Sequence, residues 1–198
     1  MPFFETPDES AGEQTAKMYA AAEAGYGYLP NMVKAFGHRP EVMESWSALL
    51  SIIKANMDLR RYELVTMAAA REMRSSYCLL AHGSVLLRDT FSAEEIRRIA
   101  HDPDTAPIDE DERAIMRFAA KVVRDATSIE KPDVDVLKQH GLSDAEIFDI
   151  VTVATVRCFF SKTLDALGVQ PDSAYEKLEP ALKAALVIGR PIDRIVPD

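Results

Sequence analysis

The sequence predicts an all-α protein. Three observations support this fold class: helical periodicity runs through every segment, no strand alternation lasts beyond a few residues, and most of the 11 prolines and eight glycines lie between segments. The chain has 198 residues, of which 47% are hydrophobic and 28% are charged. The length is typical of a single domain, and the composition is typical of a hydrophobic core beneath a charged surface. Such a chain can fold without disulfides.

Capping residues and prolines predict the boundaries of ten helices. Thr6 and Pro7 predict the N-cap and first turn of the first helix, Ser92 and Ser143 predict later N-caps, and Pro171 predicts the start of the last helix. The predicted helices cover residues 7–24, 31–36, 40–53, 59–74, 77–87, 93–100, 109–124, 132–140, 144–167 and 171–188. The third helix carries an apolar stripe, which predicts a buried face. The stripe consists of Val42, Met43, Trp46, Leu49, Leu50 and Ile53.

The domain organisation is predicted to be simple. We expect residues 1–188 to form a single helical domain and residues 189–198, which hold two prolines, to form an extended C-terminal arm. Ile192, Ile195 and Val196 indicate that the arm packs against its own chain or against a second subunit.

A loose internal repeat appears when the sequence is shifted by 83 residues. The shift aligns Glu63 with Glu146 and Cys78 with Ser161. A true repeat would give two related helical hairpin halves. Apolar helices also resemble one another by chance, so both explanations stay open.

Charge and hydrophobicity argue against nucleic acid and a membrane as partners. With 23 Lys and Arg against 32 Asp and Glu, the net charge is −9, which gives no electrostatic attraction for nucleic acid. The N-terminus is acidic where a signal peptide would be basic, and no apolar run approaches the ~18 residues that span a bilayer. The two cysteines, Cys78 and Cys158, are too sparse for a disulfide framework. We therefore expect a cytoplasmic protein.

The stretch from Glu63 to His82 carries the candidate active site. Cys78 and His82 are four residues apart, so on one helix their side chains can approach within a hydrogen bond or one bridging water. If Ser75 is the N-cap, Cys78 takes the third helical position, where free N–H groups and the helix dipole lower the pKa of a thiol. Glu63, on the preceding helix, can meet His82 and fix its tautomer. A carboxylate, an imidazole and a thiol together form the pattern of an activated nucleophile.

A structural interpretation of the same residues stays open. A single cysteine in an apolar helix is more often an inert core residue, and a single histidine is usually structural. Ser75 can be only a helix cap, and Glu63 only a solvated acid. Cys78, His82 and Glu63 could offer three zinc ligands, but no further cluster of Cys and His supports a metal site. We therefore predict no metal and no cofactor.

The motif Glu-x11-Ser-x2-Cys-x3-His resembles the Glu-x11-Cys-x2-Cys-x3-His signature of the alkylhydroperoxidase D-like, carboxymuconolactone decarboxylase superfamily. The flanking residues, such as Leu29-Pro30-Asn31 and Arg39-Pro40, resemble the peroxidase-related branch, most strongly over residues 29–124. The resemblance implies an alkylhydroperoxidase D-like helical bundle. It also implies assembly into dimers, trimers or hexamers, with the motif near the subunit contacts.

The resemblance further implies a role for each residue of the motif. Cys78 would attack the peroxide, while His82 and Glu63 would relay protons. Ser75 stands where the family has its first, resolving cysteine, and a serine cannot form a disulfide. Cys78 would therefore be regenerated by an external thiol or by Cys158. The implied activity is thiol-dependent hydroperoxide reduction, a peroxiredoxin-type antioxidant function.

Two other functions stay open. The chain could be a lyase similar to the lactone decarboxylases, in which Glu63 and His82 move a proton on a carboxylated substrate. Arg71, Arg74 and Tyr77 are then candidates to bind that substrate. Alternatively, the chain could be a catalytically degenerate relative that only binds or assembles. In each case the expected partners are small molecules and copies of the same chain, and neither nucleic acid nor a membrane.

Overall fold

Ten α-helices and four short 3₁₀-helices make up the secondary structure of residues 2–194, the part of the chain that the computed structural model describes, and this part contains no strand. The helices are α1 (Glu13–Tyr26), α2 (Asn31–Phe36), α3 (Pro40–Lys54), α4 (Leu59–Glu72), α5 (Ser76–Asp89), α6 (Ala93–His101), α7 (Glu110–Asp125), α8 (Lys131–Gln139), α9 (Asp144–Ala166) and α10 (Pro180–Leu186). The all-α prediction is confirmed. None of these helices is long and apolar enough to cross a membrane.

Helix α4 lies at the centre of the core, packed against α5, α7 and α9. Nine consecutive residues of α4, from Tyr62 to Ala70, are buried, so the helix is covered on every side. The small residues Ala68, Ala69 and Ala70 allow neighbouring backbones to approach closely, whereas Leu64 and Met67 fill the space between helices. The first half of the candidate motif therefore stands in the most enclosed helix of the bundle.

The N-caps predicted at Ser92 and Ser143 form, and Asp109, the predicted first residue of its helix, is the N-cap of α7. Ser92, Asp109 and Ser143 each belong to a capping box, with a glutamate three residues later that accepts a hydrogen bond from the backbone N–H of the cap residue.

The predicted starts of the first and last helices are wrong. The Asp8 side chain accepts a hydrogen bond from the N–H of Ser10 and begins a separate 3₁₀ turn, so α1 starts only at Glu13. At the other end, Glu179 accepts from the N–H groups of Ala181 and Leu182 and caps α10. Between Pro171 and Glu179 the only helix is a 3₁₀-helix, Ser173–Lys177. An α-helix that began at Pro171 could not continue through Pro180, because proline lacks the N–H group that the interior of a helix requires.

The apolar stripe of α3 does not form the fully buried face that the sequence predicts. Ile53 is buried, but Val42 and Leu49 are 36% and 50% exposed. Together with Trp46, Val156 and Phe159 they line a groove of about 620 Å³ between α3 and α9. The stripe thus packs its edge against the core and leaves an open apolar surface.

The prediction of two related helical hairpins is wrong, because only the first of the two aligned segments forms a pair of helices. Residues 59–89 form two helices with a break between them, whereas the aligned residues around Ser161 lie in one continuous helix, α9, of 23 residues. The two segments nevertheless meet, because Cys78 Sγ lies 2.9 Å from the Oγ of its aligned residue, Ser161.

The described part of the C-terminal arm packs against its own chain. The N–H of Gly189 donates to Ser76 Oγ at 2.8 Å, the N–H of Asp193 donates to the carbonyl of Pro171 at 2.7 Å, and Ile192 is buried. Ile195 and Val196 lie outside the described residues. The division of the chain at residue 188 stays a prediction.

Candidate active site

The break between α4 and α5 positions the candidate cysteine. Arg74 adopts a left-handed conformation with φ +57°, and the N–H groups of Arg74 and Ser75 bond back to the carbonyls of Arg71 and Ala70, which ends α4 in a Schellman turn. Ser75 then takes the N-cap position of α5, although its side chain makes no capping bond. Cys78 consequently occupies the third helical position, as the sequence predicts.

Glu63, which is buried, and His82, which is partly exposed, form a pair between α4 and α5. Glu63 Oε2 lies 2.5 Å from His82 Nδ1, with the glutamate side chain 2% exposed and the histidine side chain 14% exposed. Since an ionised carboxylate can only accept hydrogen bonds, Nδ1 carries the proton whenever Glu63 is ionised. The other nitrogen, Nε2, is then free to accept a proton from a substrate. This contact agrees with the geometry expected from the sequence.

The surroundings of His82 favour its neutral form. Burial lowers the pKa of His82, and the positive charges of Arg157 and Lys54 lower it further, whereas Glu63 acts in the opposite direction. A neutral imidazole held by a carboxylate is a suitable general base near neutral pH.

The environment of Cys78 differs from the one that the sequence predicts. Its side chain is 1% exposed, and burial raises the pKa of the thiol. Arg157, Ser161 and Ser75 lower this pKa in part, but burial has the larger effect. The prediction of an acidic thiol is therefore wrong for this structure, because a helix start cannot compensate for the loss of water. Within hydrogen-bonding distance of Sγ the structure places Ser161 Oγ, and not His82.

Ser75 stands close to Cys78 without a defined hydrogen bond. Its hydroxyl is buried and has no hydrogen-bond partner among residues 2–194. It nonetheless lowers the pKa of both Cys78 and Asp165. The hydroxyl is therefore a polar group held near the sulfur in a closed environment.

The structure does not bring Tyr77, Arg71 and Arg74 to the Glu63–His82 pair. The Tyr77 hydroxyl donates to Asp172 and accepts from the N–H of Met32 at 3.2 Å, so this side chain anchors α2. Arg71 and Arg74 line a separate cleft of about 700 Å³ next to α10. Their guanidinium groups donate to backbone carbonyls there. The expectation that they contribute to the same site as Cys78 is not met in this structure.

Sequence reasoning missed Arg157 as a member of the site. Arg157 is 3% exposed, and its Nη2 donates to the hydroxyl of Tyr62. It lies one turn before Ser161 on α9, so both residues face α4 and α5. The signal was present, because Arg157 is the only charged residue between Asp149 and Lys162.

The remaining polar candidates do not complete a metal site or a disulfide. Over the described range, no group of three or more His, Cys, Asp and Glu side chains is arranged to hold a metal ion. Cys78 and Cys158 are both free thiols. The site that the structure does show is a carboxylate–imidazole pair, a buried thiol and a buried guanidinium at the junction of α4, α5 and α9.

Comparisons with known proteins agree with this architecture. A family model described as the carboxymuconolactone decarboxylase family matches residues 40–121, a range that contains Glu63, Cys78 and His82. The comparison with curated proteins found no significant match.

Several crystal structures share the fold at low sequence identity. A peroxidase-related protein from Ralstonia eutropha JMP134, with the alkylhydroperoxidase AhpD core, superposes with a TM-score of 0.79 and 20% identity, covering 88% of this chain and 94% of that one. A peroxidase-related protein from Silicibacter sp. TM1040 gives 0.79 and 23%, covering 89% and 94%. A cysteine-to-alanine variant of the debrominase Bmp8, in complex with 2,3,4-tribromopyrrole, gives 0.71 and 18%, covering 94% and 98%.

The fold and the family match define a class of helical proteins built around a motif between two packed helices. Residues 40–121 match the carboxymuconolactone decarboxylase family model, and the described residues share the fold of the peroxidase-related structures. The family match and the shared fold agree with the resemblance found in the sequence.

Proposed function

We propose that the protein is a thiol-dependent hydroperoxide reductase in which Cys78 is the residue that becomes oxidised. The observation that carries the proposal is the 2.5 Å contact between Glu63 of α4 and His82, which lies on the same helix as Cys78. The peroxidase-related neighbours support the same class of reaction.

The chemistry uses the pair as a proton relay. His82 accepts the thiol proton through a bridging water or through the substrate, and the Cys78 thiolate attacks the terminal oxygen of the hydroperoxide. An S–O bond forms, the O–O bond breaks, and the proton returns to the departing alkoxide, which leaves as an alcohol. Cys78 becomes a sulfenic acid, which one external thiol converts to a mixed disulfide with release of water. A second thiol then releases the reduced enzyme.

Ser75 determines how the cycle must close. Because serine stands where the superfamily motif has its resolving cysteine, no disulfide can form within the motif. The reductant is then an external low-molecular-weight or protein thiol in the cytoplasm, or Cys158 of the same or a neighbouring subunit. Homo-oligomeric assembly, implied by the resemblance, belongs to this proposal.

A pair of cysteine variants tests the proposal. Cys78→Ser should abolish consumption of cumene hydroperoxide in the presence of dithiothreitol, while the matched Cys158→Ser variant should keep it. Trapping with dimedone should label Cys78 in the wild type after one addition of peroxide. Undiminished turnover in Cys78→Ser would overturn the assignment of Cys78.

A lyase is the second candidate, and one observation favours it. Cys78 Sγ contacts Ser161 and is buried, whereas the pair of Glu63 and His82 retains a partly exposed imidazole. Acid–base chemistry on a carboxylated lactone would need only that pair. Under this function His82→Ala is inactive and Cys78→Ala is tolerated in a decarboxylation assay. An ordinary thiol pKa near ~8.5 together with no turnover of either substrate class would instead favour a protein that only binds or assembles.

A further inference from the structure

Arg157 is a buried cation that forms no ion pair with any described residue. The residue is 3% exposed, and its hydrogen-bonding contact is the neutral hydroxyl of Tyr62. Its Cζ atom lies 5.4 Å and 5.5 Å from the ring centroids of Trp46 and Tyr62, and its Nε has no hydrogen-bond partner among residues 2–194. Burying a charge without a partner is expensive, so the position of this guanidinium calls for a physical reason.

The enclosure of Arg157 limits what can serve as its counter-ion. Because the guanidinium is closed off from solvent, the compensating anion has to form inside the cluster. Glu63 is already engaged with His82, and the neutral groups that can lose a proton are the Tyr62 hydroxyl and the Cys78 thiol. An unperturbed thiol is the stronger acid, with a pKa near ~8.5 against ~10 for a phenol. The thiolate is therefore the anion that forms most readily.

Contacts on two sides connect Arg157 to Cys78 and to His82. On α9 it lies one turn before Ser161, whose Oγ is 2.9 Å from Cys78 Sγ. Its hydrogen-bond partner Tyr62 packs edge-on against the ring of His82, with the two centroids 6.2 Å apart. In agreement with these contacts, its positive charge lowers the pKa of Cys78 more than any other charge does, and it also lowers the pKa of His82.

Proton transfer within this cluster leaves the net charge of its four groups at zero. With the proton on Cys78, the charges are an ionised Glu63 and the Arg157 guanidinium. The proton then moves from Cys78 Sγ to His82 Nε2 by the relay of the proposed function, and no electrons are transferred. One separated pair of charges becomes two pairs, which attract strongly in a site closed to water.

Three other ionisable groups act on this cluster. Lys54 disfavours a protonated His82, and Asp165 disfavours a thiolate at Cys78. Both side chains reach solvent, which screens their charge. Burial raises the pKa of Tyr175, which also lies near Cys78, so this phenol stays neutral while the thiol titrates. None of the three replaces the buried guanidinium as a counter-ion for the thiolate.

We infer that Arg157 is a further positioning residue: it is the counter-ion of the Cys78 thiolate, so that the reactive form of the site contains two ion pairs, Glu63 with His82 and Arg157 with Cys78. Its role in turnover rests on the proposed function. The pairing of charges can be tested on the protein without any substrate.

The Cβ resonance of isotopically labelled cysteine reports the ionisation of Cys78 by NMR without a reagent that has to reach the buried sulfur. In a Cys158→Ser background Cys78 is the only cysteine. Arg157→Gln should move the titration to higher pH, so that the fraction of thiolate at a fixed pH below the midpoint falls about tenfold or more. Arg157→Lys keeps the charge and should restore most of the thiolate. Turnover of cumene hydroperoxide should follow the thiolate fraction in these proteins.

The direction of the change separates charge from packing. If Arg157→Gln only loosened the core, water would enter and the thiolate would form at lower pH, because burial is what raises the pKa of Cys78. Arg113→Gln is the matched control, since Arg113 also has a buried, unpartnered Nε but pairs with Glu110. This control should titrate as the Cys158→Ser parent does, with folding of each variant checked by circular dichroism.

A second measurement does not depend on the folding of Arg157→Gln. In the Cys158→Ser parent, the Nε–H resonance of Arg157 should shift with the same midpoint as the Cβ resonance of Cys78, and a further Cys78→Ser change should abolish this shift.

A titration that stays unchanged or moves to lower pH in Arg157→Gln would overturn the assignment of the counter-ion. An Nε–H resonance of Arg157 that ignores the ionisation of Cys78 would do the same. If both measurements behave as expected but Cys78→Ser keeps full turnover, the ion pair stands and the proposed function fails. If Cys78→Ser is inactive but neither resonance responds as expected, the proposed function stands and the role of Arg157 is overturned.

Discussion

Two segments of the chain, residues 59–89 and α9, contribute opposite sides of the candidate site although their sequences match only loosely. The first segment breaks at Arg74 and Ser75, and the break creates the helix start that carries Cys78. The second segment continues through the equivalent position as one helix and presents Arg157 and Ser161 to the first. The segment that contains the break therefore holds the Glu63–His82 pair, and the continuous segment supplies a charge and a hydrogen bond.

The two aligned glutamates show how position decides function. Glu63 is buried at 2% exposure and contacts His82, whereas Glu146 lies in the first turn of α9, where it completes a capping box and pairs with Arg61. One carboxylate polarises an imidazole, and the other stabilises a helix end.

Exchanging each of these glutamates for glutamine gives the largest expected effect. Glu63→Gln keeps the shape but loses the charge that stabilises a protonated His82, so turnover should fall by ~100-fold or more for either proposed reaction. Glu146→Gln should leave turnover unchanged and reduce the free energy of unfolding by about 1 kcal/mol or less, through loss of the pair with Arg61. Steady-state kinetics on both variants tests this difference. Equal losses of turnover would show that the pair has no special role.

The helix break itself depends on close packing with the C-terminal arm. A Cβ atom at Gly189 would lie 2.0 Å from the carbonyl oxygen of Arg74, which is backbone and cannot yield. Gly189→Ala should therefore reduce the free energy of unfolding by about 2 kcal/mol. Gly25→Ala is the control, because a Cβ there meets nothing within 4 Å and should stabilise α1 by up to about 1 kcal/mol. Urea denaturation of both variants measures the difference, and equal stabilities would contradict the packing argument.

The sequence predicted the parts of the site that depend on local rules. The spacing of Glu63, Cys78 and His82 and the position of Ser75 follow from helix periodicity and capping, which act over a few residues. The burial of Arg157 does not follow from periodicity, which assigns a charged residue to solvent. Its isolation in an uncharged stretch is a signal of burial, but that signal does not identify its tertiary partners. The exposure of Leu49 could not be predicted either. An apolar stripe has the same sequence pattern whether it faces the core or an open groove.

The sequence predicted some helix starts correctly and others wrongly, and the difference lies in how many nearby side chains can act as the cap. Ser92 and Ser143 were predicted as caps because nothing nearby competes for their role. Thr6 failed because Asp8, two residues further on, forms its own turn with Ser10. The start of a helix can be predicted reliably where only one nearby side chain can accept hydrogen bonds from its free N–H groups. The prediction is less reliable where several side chains can do so.

The contact between the two segments can be weakened at Ser161. Its hydroxyl lowers the pKa of the Cys78 thiol, since a hydrogen bond donated to sulfur favours the thiolate. Ser161→Ala should therefore raise that pKa further. The pH dependence of alkylation by iodoacetamide, measured in a Cys158→Ser background, should shift to higher pH. Ser84→Ala, which removes only a bond to the carbonyl of Leu80, should leave the profile unchanged; a shift of the same size there would contradict the role of Ser161.

The smallest expected effect concerns the stability of α9 in acid. Bonds from the N–H and hydroxyl of Ser143 and from Arg61 lower the pKa of Glu146 to about 2, below the ~4.3 expected in the unfolded chain. A lowered pKa in the folded state stabilises the protein above the unfolded value, and this stabilisation is lost as pH falls from about 5 towards 2. Because the side chain is 40% exposed, solvent screening limits the contribution to about 1 kcal/mol or less. The stability difference between wild type and Glu146→Gln should therefore shrink as the pH is lowered through this range in urea denaturation. A difference that stays constant would mean that Glu146 stabilises α9 through packing and not through its charge.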